Sequence, residues 1–472
     1  MIYGYAASAS VWPGQRLVLH VSSTGPRFRV AFYRWGGKLL PVFTSDWVDG
    51  AQAPERGPDQ DWQWPAYSFQ LPPGRPSGVY IAHLEEPGAA PPAIAMHNAA
   101  VLFVVRGYGA SPLLYKIPLA TYNAYNFAGA GCYYANPPRS ADPPGARLSF
   151  QRPGGGIGGP TFGAPDHYDA SSARQTFAHW DARFITWLLR QGYAPEFCTD
   201  LDIHADPGLL GSYQLLLSVG HDEYWSTSMR EGVERFVAQG GNAAFFSANL
   251  CWWRVHLVDR DTAMVCHQGG PSGARDHWWP AHGAGRPEDA LAGVSYRHGG
   301  GWWDGARESA GFAVQDERHW VFAGTGLRTG ASFGAHTCPP LAGYECDGAP
   351  LAAFDTASGL ATLSPTAWQC GTPHGFQLLA ACPLDAQWQE LPRREPDASA
   401  SGLHAATMGM FTRGGTVFSA GTTDWAQVLG SGQDARVDRI TGNVIDGLLN
   451  GATSTQAPDA ASIASCAIQV DA

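Results

Sequence analysis

The chain is short of positive charge. It carries 30 Lys+Arg against 41 Asp+Glu, a formal net charge of -11, so a nucleic-acid partner is not expected. No apolar run reaches the length of a membrane span, which leaves no expected membrane partner. The opening residues, MIYGYAASAS, show no basic leader before an apolar core, so no signal peptide is expected. The nine cysteines are scattered and form no CxxC pair, the pattern of reduced thiols in a cytoplasm rather than of a disulfide framework or a cysteine-built zinc site. Where strands and helices alternate, no GxGxxG follows a strand and no Walker lysine motif occurs, which argues against nucleotide binding. HExxH is absent, and the turn at residues 220–224 has no Ser or Cys where a nucleophile elbow would place one.

What is present is a globular composition of 472 residues, 44% hydrophobic, long enough for two domains. Short β-forming runs separated by Gly, Pro and Ser over residues 1–105 predict an immunoglobulin-like β-sandwich. Residues 106–452 predict an α/β domain. Its strands are expected at 113–119, 197–200, 213–219 and 243–247, and its helices at 178–191 and 226–239. That alternation describes a doubly wound sheet of amidotransferase or flavodoxin-like type, followed by β-rich insertions. Short strands are expected near 319–323 and 341–346, a hairpin at 407–420 and a closing helix at 434–449. Residues 453–472 read as a small, polar, frayed tail. Paired tryptophans at 252–253, 278–279 and 302–303 read mainly as packing.

The organising stretch is residues 213–225, YQLLLSVGHDEYW. An apolar run ends at Gly220, and His221, Asp222 and Glu223 follow at once, before a helix that Ser226 can cap. This places ionisable groups at the carboxyl end of a central strand, where open α/β sheets bind ligands. Glu223 suits a hard metal ion and His221 can orient it or donate to a substrate oxygen; a salt-bridged pair near a helix N-terminus is the structural alternative. Asn249 follows the next strand and suits carbonyl recognition, or else serves as a turn residue. Tyr122 and Tyr125 follow the strand at 113–119, as crevice residues or as core aromatics. Glu345 is a carboxylate on an apolar strand, a candidate general base or a surface-facing residue.

Taken together, the strings Ala124-Tyr125-Asn126, Gly220-His221-Asp222-Glu223-Tyr224-Trp225, Ser247-Ala248-Asn249, Gly343-Tyr344-Glu345-Cys346-Asp347-Gly348 and Gly421-Thr422-Thr423-Asp424-Trp425 resemble the catalytic region of the N,N-dimethylformamidase large subunit and its relatives, to about residue 450. The resemblance implies a hydrolase of small amides or formamides using one non-haem iron, held by two tyrosines and a glutamate. Tyr125 matches the first tyrosine and Glu223 the glutamate; His221, Asn249 and Glu345 match pocket residues, with Glu345 as base. It also implies a homo-oligomer, with a small accessory subunit as a further partner. Two positions depart from the family pattern. Gly154 stands where the second tyrosine is expected, leaving Tyr168, or Tyr133 or Tyr134, to replace it, and Gln268 stands where a lysine is expected. These departures define the alternative: a relative with an altered or lost metal site, serving as a binding protein or running another reaction in the same crevice.

Overall fold

The structure is a computed structural model that describes residues 1–88, 99–137, 146–156, 161–162, 166–269, 275–280, 283–385, 388 and 403–451. The tail expected at 453–472 lies outside the described residues. The fold is mixed α/β and richer in strands than in helices.

Residues 2–105 build two facing sheets. One has the strands Ile2–Ala6, Arg16–Ser23 and Ala66–Gln70; the other is ordered Ser10–Val11, Ala100–Val105, Gly78–Glu85, Arg27–Trp35 and Leu39–Thr44, with Val48–Asp49 also paired to Arg27–Trp35. Alternation along the strands divides their side chains. Leu17, Leu19 and Val21 meet Phe28, Val30, Phe32, Phe103 and Val105 between the sheets. The intervening residues Val79, Ile81, Leu102 and Val104 point the other way and join the core of the large sheet that follows. The second sheet is therefore buried on both faces, which is why Gly78–Glu85 and Ala100–Val105 read as nearly unbroken apolar runs.

Among the described residues the large sheet has nine strands. Five are parallel, in spatial order Glu196–Thr199, Leu113–Ile117, Leu215–His221, Asn242–Ala248 and Gly415–Ser419. Helices cover both faces. Leu215, Leu217 and Val219 pack with Phe184 and Ile185 of helix Asp181–Arg190 and with Ile440 and Val444 of helix Ala435–Leu449. Leu216 and Phe245 pack on the opposite face with Met229, Val233 and Phe236 of helix Thr227–Ala238. The order of the strands reverses between Leu113–Ile117 and Leu215–His221, because the chain leaves the first strand for one side of it and returns on the other. The crevice at such a reversal opens at the carboxyl ends of those two strands.

The sequence-based expectation needs four corrections. The sheet is not wholly parallel: Ala405–Arg413, Gln377–Pro383, Phe312–Val314 and Ser332–Phe333 extend it as antiparallel strands. The strand expected at 113–119 stops at Ile117. Pro118 has no N–H to continue the ladder, and helix Leu119–Tyr125 begins there, the Asp200 carboxylate accepting the Ala120 N–H at 2.8 Å. Residues 319–323 form a 3-10 turn, Trp320–Phe322, in which the His319 ring accepts the Val321 N–H. The strand expected at 341–346 starts only at Glu345, because the Thr422 hydroxyl occupies both the Leu341 carbonyl and the Gly343 N–H that a ladder would use. The hairpin and the closing helix are found as Ala405–Arg413 with Gly415–Ser419 and as Ala435–Leu449.

One buried ion pair locks the two strands that flank the reversal. Lys116, on Leu113–Ile117, pairs with Asp222, just past Leu215–His221; the ammonium also lies 4.4 Å from the Trp225 ring, and the indole N–H donates to Asp222 at 3.0 Å. Both partners are almost fully buried. Asp222→Ala leaves the ammonium unpaired in the interior, and a stability loss of about 3–5 kcal/mol is expected in urea unfolding. A loss under ~1 kcal/mol would mean that the pair does not hold the strands.

Candidate functional site

The two strands flanking the reversal each deliver a short segment into the crevice. After Leu113–Ile117 comes helix Leu119–Tyr125, which ends at Tyr125. After Leu215–His221 comes the turn His221-Asp222-Glu223. Gly220 makes the turn possible: its φ is 71°, and a Cβ there would sit 2.6 Å from Trp180 Cβ. Thr121 on the helix then pins the turn, its hydroxyl accepting the N–H of Glu223 at 2.9 Å and of Tyr224 at 3.2 Å. The neighbouring strand Asn242–Ala248 ends at Asn249, held at φ 48° by the Asp347 carboxyl, which takes the N–H groups of Asn249 and Leu250 at 2.8 and 3.2 Å. Asp347 and Glu345 both come from strand Glu345–Gly348.

These segments converge on Glu223, which is 2% exposed. Tyr125 donates to its Oε2 at 2.8 Å and Tyr134 to its Oε1 at 2.7 Å, and the two phenol rings stack at 4.3 Å. Tyr224 donates to the Tyr134 hydroxyl at 2.6 Å, and the Gln268 amide donates to Tyr224 at 2.8 Å. On the other side, His221 Nε2 lies 2.7 Å from Glu345 Oε2 and 3.4 Å from Glu223 Oε2. His221 Nδ1 faces the Gln175 side-chain oxygen at 2.7 Å, which can only accept. Asn249 Nδ2 reaches Glu345 at 3.2 Å, and Trp303 Nε1 donates to the other Glu345 oxygen at 3.2 Å. Asn249 Oδ1 is buried with no hydrogen-bond partner among the described residues.

Burial acts on every group here, and its effect depends on the neighbour. It pushes Glu223 up to about 7, against the attraction of His221 and with Glu345 adding to the rise. In His221, burial works against the charged form, but the Glu345 and Glu223 carboxylates outweigh it and the imidazole is raised. In Glu345, burial works upward, but the His221 cation beside it holds the carboxyl below its usual range. Both shifts favour the charged pair, imidazolium beside carboxylate, in which both imidazole nitrogens donate. Burial, then the Glu223 charge, holds the Tyr125 and Tyr134 phenols well above their ordinary values. Tyr134 serves as an edge of the site: the residue is 37% exposed and its ring centroid lies 6.2 Å from that of the exposed Phe162, while its hydroxyl end is held by Tyr125, Tyr224 and Glu223.

The structure gathers five residues singled out from the sequence, Tyr125, His221, Glu223, Asn249 and Glu345, into one connected group. It does not bring Tyr168 into that group. The Tyr168 hydroxyl accepts the Arg307 N–H at 2.7 Å and donates to the Arg307 carbonyl at 3.2 Å. Tyr133 donates to the Met264 carbonyl at 3.2 Å. Of the tyrosines considered as a replacement for residue 154, Tyr134 is the one at Glu223. Gly154 has φ 98°, and a Cβ there would lie 2.5 Å from Asn126 Oδ1, so this backbone leaves no room for a tyrosine at that position. Sequence reasoning missed Gln175, Thr121 and Trp303. Gln175 carries no motif signal; its role follows from the fold bringing it to His221.

Two phenols and two carboxylates, with an imidazolium between the carboxylates, at the reversal point of a sheet flanked by helices, define a polar, oxygen-rich crevice of the kind found in hydrolytic and metal sites. Residues 30–437 match the family described as N,N-dimethylformamidase beta subunit-like, C-terminal, and the chain belongs to that family. A curated relative, the N,N-dimethylformamidase beta subunit of Alcaligenes sp, is 30% identical over 79 residues, a stretch covering 16% of this chain and 10% of that protein.

Asp347 is the anchor of Asn249. Its replacement by Ala leaves two buried N–H groups without an acceptor, at about 1–3 kcal/mol each. Asp347→Ala is expected to lower the midpoint of chemical unfolding accordingly. An unchanged midpoint would show that Asn249 keeps its left-handed conformation unaided.

Proposed function

We propose that the chain is an amidohydrolase that cleaves the C–N bond of a small amide or formamide at a mononuclear, ferric iron held by Tyr125, Tyr134 and Glu223. The observation that carries this reading is the convergence of two phenol hydroxyls on the two oxygens of one buried carboxylate. Phenolate and carboxylate are hard, anionic donors suited to ferric iron, and the hydroxyl protons that now bridge Tyr125 and Tyr134 to Glu223 are the ones an ion would displace. When bound, iron supplies Lewis acidity to the crevice. Family membership supports the hydrolytic reading.

The protein's own groups supply the rest. Glu345, held ionised by His221, is the general base that takes a proton from water. His221 stays charged and oriented because Gln175 accepts from its Nδ1, so it stabilises negative charge that develops beside Glu223 and Glu345. Asn249 Oδ1, free of partners among the described residues, is the acceptor for a substrate N–H. Gln268 replaces the expected lysine with a neutral donor, and through Tyr224 it hydrogen-bonds the Tyr134 hydroxyl rather than charging the pocket.

The same reading includes the finer expectations. The sheets of residues 2–105 are taken as an immunoglobulin-like sandwich, and the five parallel strands as flavodoxin-like. The chain is taken to work in the cytoplasm, and no described helix is long and apolar enough to cross a membrane. The relative's designation as a beta subunit supports assembly as an oligomer, with a small accessory subunit as a further partner.

The neutral Gln268 favours a second reading, in which the crevice binds a ligand or runs a different reaction. Metal analysis, the visible spectrum and an amide panel separate the two. The first reading expects about one iron per chain with a broad phenolate-to-iron band, with Glu223→Gln losing iron and activity and Tyr134→Phe weakening the band. Iron and activity surviving in Glu223→Gln would sink it. A metal-free protein without amidase activity after reconstitution would leave the second.

A further inference from the structure

A second group of ligand-type side chains lies on the hairpin that follows Asn249. Strands Trp253–Val258 and Ala263–Cys266 pair antiparallel, with His256 opposite Val265. Opposed residues share a face, and the face repeats every second residue, so His267, two positions beyond Val265, lies on the face that carries His256. The segment after residue 274 lies alongside the hairpin end: Asp276 donates its N–H to the His267 carbonyl at 2.7 Å, and Arg254 donates its N–H to the Asp276 carbonyl at 2.7 Å. This sets the Asp276 carboxylate between the two rings. His267 Nδ1 is 2.7 Å from Asp276 Oδ2, and His256 Nε2 is 3.2 Å from Asp276 Oδ1.

We infer that His256, His267 and Asp276 form a binding site for a divalent transition cation of the zinc class, separate from the Tyr125–Glu223 group. Two imidazoles and one carboxylate are a borderline donor set, matched to zinc and its neighbours rather than to magnesium, calcium or ferric iron. Ligand atoms about 2.1 Å from a tetrahedral zinc stand ~3.4 Å apart. The His256–Asp276 separation, 3.2 Å, is close to that spacing, the His267–Asp276 separation, 2.7 Å, is a hydrogen-bond contact that an ion would open by some tenths of an ångström, and all three ligand atoms lie within 4.8 Å of one another. Rotation of the His256 ring, whose side chain is 44% exposed, closes the remainder. The carboxylate is fixed in position by its other partners, since the His267 N–H donates to it at 2.9 Å and Arg254 lies 3.1 Å from Oδ1. The guanidinium also offsets part of the site's negative charge, which favours reversible binding over a permanently filled structural ion. With three protein ligands and a solvent-facing side, the ion keeps an open position. Its immediate effect is to tie the segment beginning at Arg275 to the hairpin, close to where His277 stacks on Trp253 at 4.1 Å.

Equilibrium dialysis of the full, chelator-stripped chain against zinc tests this. Wild type and Glu223→Gln are both expected to retain one zinc equivalent per chain that His256→Ala and His267→Ala lose, with loss of the zinc-induced rise in Tm. Cobalt in place of zinc should give a visible d–d spectrum that the same two variants abolish. His256 is exposed enough for His256→Ala to fold, and His256→Gln provides a second fold-neutral variant. Equal zinc stoichiometry in wild type and His256→Ala, or no zinc bound by the Glu223→Gln chain, would overturn the assignment. Neither result bears on iron at Tyr125, Tyr134 and Glu223.

Discussion

Two carboxylates with one imidazole between them, out of water, form the constraint around which the rest of the crevice is arranged. Glu223 and Glu345 are both nearly fully buried, and each lies within 3.4 Å of His221. A single imidazolium can neutralise one of them. Glu345 takes the closer position and is held ionised, and Glu223 is left rising toward neutral pH. That leftover charge is met by two phenol hydroxyls, Tyr125 and Tyr134, one on each carboxylate oxygen. The arrangement is compact because each partner answers a charge that burial would otherwise make costly. Where the family pattern expects a lysine, Gln268 joins this group through Tyr224 with a hydrogen bond and no charge.

Such a group stays assembled only on a stiff frame. The frame consists of the ends of three parallel strands, each turned sharply by a specific device. Gly220 turns the central strand, Pro118 ends its neighbour, and Asn249 bends the next one with Asp347 as its anchor. Lys116 and Asp222 then join two of these ends through an ion pair under the Trp225 ring. The side chains that face the crevice come from different strands, but their backbones are tied together within one layer of contacts. Positions set by strand ends vary less than positions set by free loops, which suits a site whose distances must hold to tenths of an ångström.

How much of this was legible in the sequence depended on how local each feature is. The strand at 215–221, its turn and the following helix are written in consecutive residues, so a run of apolar side chains, a glycine and a Ser cap identified them. The gathering of Tyr125, His221, Glu223, Asn249 and Glu345 was legible through motif strings that the fold brings together. Tyr134 was harder to single out. Nothing in Tyr133-Tyr134 distinguishes one ring from the other. The difference arises because one hydroxyl meets the Met264 carbonyl, 131 residues away, and the other the Glu223 carboxylate, 89 residues away. Gln175 was invisible for the same reason, since its value lies only in facing His221. The antiparallel extension of the sheet was missed because Gln377–Pro383 and Ala405–Arg413 are buried almost continuously and share no alternation that would mark them as antiparallel.

The two ligand clusters also explain each other's composition. Around Glu223 the donors are oxygen from phenols and carboxylates, enclosed and backed by a hydrogen-bond chain that reaches Gln268. One residue before Gln268, His267 belongs instead to a partly buried set of two imidazoles and a carboxylate, with His256 its most exposed member. Strand alternation provides the separation: consecutive residues project to opposite sides, so 267 and 268 serve different environments from one short stretch. Under the proposed readings, hard oxygen donors in an enclosed pocket and borderline nitrogen donors beside it would select different ions by chemistry alone. The two clusters therefore need no distance between them in sequence to remain distinct.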